Sequence, residues 1–322
     1  MNVGRIIRGG CLGLIALGIA ACTEVIAPVQ PVLKPLARHN ISQKPAPKPI
    51  QVAKPTSQES AQLRSYLNQV QGAQLSQGLL RRDGGGSDTP FTNTMLARNF
   101  EQIAFFNEYN ITFSGRGGPS PLRRWSAPVQ MDVIFGESVP PSQRKTDMAN
   151  VSSYAARLGR VTNHPVSMGK KANFIIVIAG EDDRGDALAA AAARIPGITS
   201  SSLTPLNNLR SDTYCVVAAY AVGSGGNTYT AALAVIRAEN PSLLRLSCIH
   251  EELAQGLGLA NDSPTARPSI FNDDDEFALL TRHDELLLQM LYDPRLQVGM
   301  TADQARPTVQ KIAAELASGG PV

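Results

Sequence analysis

The sequence predicts an α+β fold: a mixed sheet packed on helices, in a single globular domain that follows an extended, disordered tether. Three observations predict it. Short apolar runs of strand length alternate with helical patterns through the middle of the chain. The strand signals come first and the long helices follow toward the C-terminus. Residues 22–60 are rich in proline and lysine and offer no apolar pattern from which to build a core.

The chain has 322 residues, 43% of them hydrophobic, which is enough for one good core. Its net charge of +3 carries no polyanion-binding signal, so nucleic acid is not an expected partner.

At the N-terminus, Arg5 and Arg8 form a short basic region and an uncharged apolar run follows from Cys11 to Ala21. The run is too short to span a bilayer and suits a signal-peptide core. It ends in Ile19-Ala20-Ala21-Cys22, which looks like a bacterial lipobox: an aliphatic residue, two small residues, then the cysteine that is acylated. This predicts a lipoprotein signal peptide over 1–21 and lipidation of Cys22, against the alternative of an ordinary signal peptide with a stray cysteine. Thr23 follows rather than Asp, so the likeness to sorted lipoproteins implies export to the outer membrane, facing the periplasm. Acyl chains on Cys22 would be the contact with the membrane, each buried CH₂ adding about 0.8 kcal/mol. No other segment is long and apolar enough to span a membrane.

The tether over 22–60 carries Pro28, Pro31, Pro35, Pro45, Pro47, Pro49 and Pro55 among scattered lysines. Fully extended it reaches on the order of 100 Å, at ~3.1 Å per residue. A helical lead-in occupies 61–109, with helical patterns from Gln58 to Leu80 and from Thr92 to Asn107. The Gly-rich break Arg82–Pro90 separates them. The globular domain is expected over 110–322.

Within it, Ala127–Phe135 reads as a strand and Pro140-Pro141 precedes a helix ending near Thr162. Ala172–Gly180 is a continuous apolar run, as a strand buried on both faces requires. Asp186–Arg194 is a helix closed by Pro196-Gly197. Thr213–Val222 and Thr228–Ala238 are strands joined through a glycine-rich turn, a hairpin signal. Pro241 opens a helix running to about Leu259, and two more helices follow, near Asp275–Tyr292 and Thr301–Ser318.

Two cysteines remain once Cys11 is cleaved away and Cys22 is acylated: Cys215 and Cys248. In an exported chain this pair predicts a disulfide, with two buried free thiols as the alternative.

The chemistry concentrates in Cys248–Ser263, CIHEELAQGLGLANDS. His250-Glu251 resembles the start of a zinc-protease HExxH motif, but Ala254 stands where the second His is needed. One residue later the spacing fits the longer metzincin pattern, HExxHxxGxxH or D. Glu251 then takes the first ligand position, Glu252 that of the catalytic glutamate, Gln255 the second ligand, Gly258 the turn and Asn261 the third ligand, with Asp262 beside it. Residues i and i+4 share a helix face, so Glu251 and Gln255 can grip one ion, and a glycine after the last turn lets the chain bring a third ligand back. Phe271 of PSIFND, Pro268–Asp273, sits where metzincins carry a Met beneath the metal.

The stretches LRRWSAPVQMDVIFGESVPP, AVIRAENPSLLRLSCIHEELAQGLGLANDSP and PSIFNDDDEFALLTRHDELLLQMLYDPRL, with the later GMT, resemble the bacterial lipoproteins of domain of unknown function 2927. The resemblance covers Leu122 to about Leu316. That family has no established activity, so it implies architecture more than function, and the metzincin likeness implies a zincin-like sheet with a cleft over the motif helix.

The departures from the metzincin pattern bear on chemistry. No His occupies a ligand position, and Glu, Gln and Asn offer only oxygen, which suits hard ions such as Ca²⁺ better than Zn²⁺. His250, Asp262 and His283 are the alternative ligands. The cofactor is thus a divalent metal, zinc or calcium, or none. Two functions follow. One is a cell-envelope lipoprotein that binds a peptide or cell-wall ligand in a degenerate cleft without hydrolysing it. The other is an atypical metal-dependent hydrolase with Glu252 as general base. A third reading makes the motif a buried helix whose Glu251, Glu252 and Gln255 only bond neighbouring backbone or Arg282 and Arg295.

Among weaker signals, Asp273–Glu276 (DDDE) suits either calcium or a helix N-terminus, and Arg123-Arg124-Trp125 either edges the cleft or anchors the next strand.

Overall fold

The computed structural model describes residues 56–109, 117–196, 198–221, 226–272 and 274–317. The expected signal peptide, Cys22 and nearly all of the tether lie outside the described residues. The elements in order are α1 (Gln58–Ser76), α2 (Asn93–Ala104), β1 (Arg124–Trp125), β2 (Val129–Phe135), α3 (Pro141–Thr162), β3 (Val166–Met168), β4 (Phe174–Ala179), α4 (Arg184–Ala192), α5 (Ser200–Asn207), β5 (Cys215–Ala221), β6 (Thr228–Arg237), α6 (Ser242–Gln255), α7 (Arg282–Leu291) and α8 (Ala302–Ala317).

The sheet is mixed, as expected. Strands β3, β2, β4 and β6 lie side by side and parallel, β1 pairs with the start of β6, and β5 runs antiparallel to β6. The register sets Phe174 opposite Ala232 and continues without a break to Ala179 opposite Arg237. All six residues of β4 are buried, which explains its unbroken apolar sequence. Alternate residues serve two layers. Phe174, Ile176 and Ile178 join the larger core with residues of α2, α3, α6, α7 and α8. Ile175, Val177 and Ala179 face the other way, against Ala187, Leu188 and Ala191 of α4 and Leu206 of α5.

The sequence pattern missed β1, β3 and α5. The first two have two and three residues, too few to show a period, and α5 carries Pro205 inside it. Helix α6 stops at Gln255 rather than near Leu259. Gly256 caps it, and Gly258 then takes a φ of +128°, where a β-carbon would lie 2.4 Å from the Arg123 carbonyl oxygen. Helix α7 starts at Arg282, after the acidic turn, because Thr281 and Asp284 form a reciprocal capping box. The packed body also begins upstream of Asn110, since Leu67 of α1 and Leu96, Phe100 and Ile103 of α2 are fully buried. No helix among the described residues is long and apolar enough to cross a membrane.

A disulfide joins Cys215, the first residue of β5, to Cys248 on α6, with Cα atoms 5.8 Å apart. The predicted bridge is therefore present. It closes a loop spanning 33 positions and contributes about 3–4 kcal/mol by the loop-entropy relation.

Candidate acidic site at the end of α6

The site is built where the antiparallel edge strand meets α6. Cys248, Glu251, Glu252 and Gln255 fall on neighbouring positions of the helix, at spacings of three and four residues. The disulfide draws the start of β5 onto this face. One carboxylate oxygen each from Glu251 and Glu252, and the Cys215 Sγ, all lie within 4.8 Å of one another. Glu252 is 4% exposed, and its Oε2 is buried with no hydrogen-bond partner.

The turn behind the helix is held rigidly. The indole Nε1 of Trp125 donates to the Gly256 carbonyl (2.8 Å), and the Tyr292 hydroxyl donates to that of Leu257 (2.9 Å). This fixes the path of the chain from Gly258 to Asp262. Arg124 reaches the carbonyls of Leu291, Asp293 and Leu296, which ties β1 to the end of α7, while Arg123 donates to Asn107 Oδ1 beside Glu108.

Two further carboxylates close on the pair. Gln255 Nε2 donates to Asp262 Oδ1 (3.1 Å) and to Glu108 Oε2 (3.3 Å). Only the NH₂ end of an amide can bridge two carboxylates, so Gln255 serves as a donor between them and not as an oxygen ligand. The Glu108 backbone N–H donates to the Ala260 carbonyl (3.0 Å), which pins this residue to the motif. Tyr109, 39% exposed, hydrogen-bonds to the Glu108 side chain, and burial together with Glu108 raises its phenol above the usual range.

Burial is also the main cause holding the Glu251 and Glu252 carboxyls well above the ordinary carboxylate range. The charges of Asp262, Glu252 and Glu108 add to it at Glu251, and those of Glu108 and Asp262 at Glu252. No described basic side chain forms an ion pair with either glutamate. Arg282 and Arg295, the side chains the buried-helix reading names beside neighbouring backbone, pair instead with Glu285 and with Asp293 and Glu315.

The remaining sequence candidates lie elsewhere. The amide N–H groups of Asn261 donate to the carbonyls of Gln102 (2.9 Å) and Asp262 (2.7 Å), so this side chain is spent on the backbone. His250 faces the core: its Nδ1 accepts from the Leu280 N–H (3.0 Å) and its ring stacks on Tyr154 at 4.0 Å. Burial, with the nearby Arg157, lowers its pKa to about 3, so it is neutral. His283 is fully buried with its Nε2 3.1 Å from Asn99 Nδ2 and its ring against Phe91. Neither histidine belongs to the carboxylate group: His250 is held by Tyr154 of α3 and the Leu280 N–H, and His283 by Asn99 of α2. Phe271 is a core residue whose carbonyl accepts from the Ser263 N–H (2.8 Å), which sets the PSIFND turn against the end of the motif. In the acidic turn Asp274 accepts from the Glu276 N–H and Glu276 pairs with Arg81 and Arg267, while Asp273 lies outside the described residues.

A family model described as a protein of unknown function (DUF2927) matches residues 93–311. The chain belongs to this family. No curated protein and no solved structure matches it. The DUF2927 match begins at α2 and ends within α8, so it contains the whole acidic site, Glu108 included. Helix α1 lies outside the match yet docks on the domain: Ser60 Oγ donates to Glu239 (2.6 Å) and Gln74 Nε2 to Asp275 (2.7 Å).

Glu108 was not foreseen. It lies far upstream of the motif in a segment without periodicity, and it is brought in by the Glu108–Ala260 backbone bond and the Gln255 amide. Its one sequence signal is an acidic residue just after a predicted helix, which is too common to single it out.

Proposed function

We propose that this chain is a cell-envelope lipoprotein, anchored through Cys22 in the outer membrane. Its DUF2927 domain binds a peptide or cell-wall fragment without hydrolysing it, and a positively charged group of that ligand sits against Glu251 and Glu252. The observation that carries the reading is the buried, unpartnered Oε2 of Glu252 in the field of three other carboxylates. A buried acceptor without a donor costs about 1–3 kcal/mol, and an arriving ammonium group would remove that cost.

The edge strand supports the ligand's shape. β5 pairs with β6 and with no other described strand, and it starts at the carboxylate pair. An extended peptide added to that edge would run away from the glutamates. The antiparallel edge strand, the motif helix directly after β6, and the Gly258 turn support the likeness to a metzincin cleft.

A zinc ion held in the metzincin manner does not fit these residues. Gln255 turns its NH₂ inward, Asn261 is tied to backbone, both nearby histidines face away, and the two sulfurs are bonded to each other. The hydrolase reading assigns Glu252 the role of general base, and burial with the charges of Glu108 and Asp262 raises its carboxyl in the direction such a base needs, so the cleavage arm of the test below decides that reading.

The test is a titration of the oxidised full chain with soluble cell-wall peptides bearing free amines, and with the same peptides acetylated. Binding that weakens about tenfold or more on acetylation, and equally in Glu252→Gln, with peptides recovered intact, is the expected result. Equal affinity for both peptide sets would overturn the amine site. Cleavage that disappears in Glu252→Gln would replace it with the hydrolase.

A further inference from the structure

The sulfur atoms beside the glutamates point to a second use of the same corner. We propose that reduction of the Cys215–Cys248 bridge creates a zinc site, with Cys215, Cys248, Glu251 and Glu252 as its ligands. This goes beyond the ligand-binding reading and does not depend on a peptide.

Four donors are already gathered. Cys215 Sγ lies within 4.8 Å of carboxylate oxygens of both glutamates. Cys248 is bonded to that sulfur and precedes Glu251 and Glu252 by three and four helical positions, so all three helix residues share one face. Three elements of rigidity hold them there. Cys215 belongs to a strand paired over its length with β6, Cys248 is buried on α6, and the helix end is clamped by Trp125 and Tyr292. The unpartnered Glu252 Oε2 is an acceptor with nothing to accept from.

The disulfide decides what this group can hold. A disulfide sulfur carries no thiolate charge, so the oxidised corner is an oxygen-only position, unsuited to zinc. A dithiol reductant supplies two electrons and two protons: the S–S bond breaks, two thiols form, and the dithiol leaves as a disulfide. Zinc then displaces the thiol protons and binds as Zn²⁺ to two thiolates and the carboxylates. The geometry permits it. Two sulfurs on a tetrahedral zinc, each about 2.3 Å from the metal, sit about 3.8 Å apart. Once the bond is broken the two sulfurs are free to move apart to that spacing, a movement that rotation about the side chains supplies. The Cα spacing of 5.8 Å need not change. Softer sulfur donors then add to the carboxylates, and the preference of the corner moves from hard cations to zinc.

The experiment compares the oxidised full chain with the same preparation reduced by a phosphine. Each is incubated with zinc, desalted and assayed for bound metal by mass spectrometry, and a parallel set is loaded with cobalt(II). Stoichiometric zinc and a near-ultraviolet thiolate-to-cobalt charge-transfer band in the reduced chain, and neither in the oxidised chain, are expected. The Cys215→Ser, Cys248→Ser double variant keeps Cys11 and Cys22, so it separates capture by those cysteines from the proposed site; it should lose both signals. Glu252→Gln should weaken zinc binding about tenfold or more while the reduced chain stays folded. Equal zinc in both redox states would overturn the proposal, as would no zinc in a reduced chain whose near-ultraviolet circular dichroism is native. Loss of that native signal on reduction would overturn it too, because the thiols would no longer be held beside the glutamates. None of these outcomes bears on binding of amines by the oxidised chain.

Discussion

Asp147 and Glu252 are both buried carboxylates in the larger core, and the fold treats them in opposite ways. Asp147 on α3 is 1% exposed and takes Arg245 Nε on both its oxygens, at 2.9 and 2.8 Å. Glu252 lies on the same helix as Arg245, two turns further on, is 4% exposed, and has no described ion pair at all. The pattern extends to other carboxylates: Glu181 meets Arg184 and Arg237, Glu276 meets Arg81 and Arg267, and Glu285 meets Arg157 and Arg282. Several carboxylates that hold this fold together thus meet a guanidinium, and others, Asp183, Asp284 and Glu239, are held by hydroxyl and backbone N–H donors. At Glu251 and Glu252 the fold supplies other carboxylates instead, an arrangement that makes folding harder and is retained on a well-clamped helix end. Glu239 also carries a buried oxygen without a partner, but its other oxygen is held by Ser60 and the Glu181 N–H, so what marks Glu251 and Glu252 is the crowding of carboxylates around them.

The sharpest way to break the contrast is at Asp147. Asp147→Asn leaves the Arg245 charge buried without a counter-charge, with the Asn240 carbonyl and the new amide oxygen as neutral acceptors. The loss should be about 3–5 kcal/mol, read from the urea midpoint of the oxidised chain. A loss below about 1 kcal/mol would show that the pair does not stabilise the fold, and the two regions would cease to differ in kind.

The opposite sign is expected at the other end of the comparison. Glu252→Gln keeps the shape of the side chain and removes a carboxyl that burial and neighbouring charges disfavour. It should stabilise the free, oxidised chain by about 1 kcal/mol at neutral pH, as substitutions that relieve a strained site often do. Destabilisation of similar size would mean that Glu252 holds the fold, and would remove the main support for a ligand at this position.

How far these two regions were legible in sequence also differs. The motif helix, the Gly258 turn and the Cys215–Cys248 bridge follow from local pattern and from cysteine count, because spacing along a helix and pairing of two leftover cysteines need no knowledge of distant chain. The six-residue run of β4 was readable because burial on both faces leaves no polar position. The composition of the site was not readable. Gln255 and Asn261 fit the ligand spacing, yet an amide can present either end, and only the placement of Glu108, Asp262 and the Gln102 carbonyl decides which. His250 fits a ligand by position but is a core residue, because Tyr154 and the Leu280 N–H occupy the face it points to. The arginine partners were equally invisible: Asp147 and Arg245 are 98 positions apart, and no period links them.

The smallest effect sharpens the contrast through pH. The Glu276 carboxyl is held below its ordinary value of 4.5, first by the hydrogen bond from Arg267 and further by Arg81. A carboxylate depressed in the folded state contributes stability that is present above the unfolded value and is lost as pH falls through the folded one. Arg267 is 49% exposed, so solvent screening limits the contribution to about 1 kcal/mol or less. Glu276→Gln should therefore lower the urea midpoint modestly at neutral pH, and the gap between variant and parent should close as the pH is taken below about 4. High salt should shrink the same gap, because both arginines reach solvent. A gap that persists unchanged in acid would assign the effect of Glu276 to packing. It would also remove this residue from the set of arginine-held carboxylates against which Glu251 and Glu252 stand out.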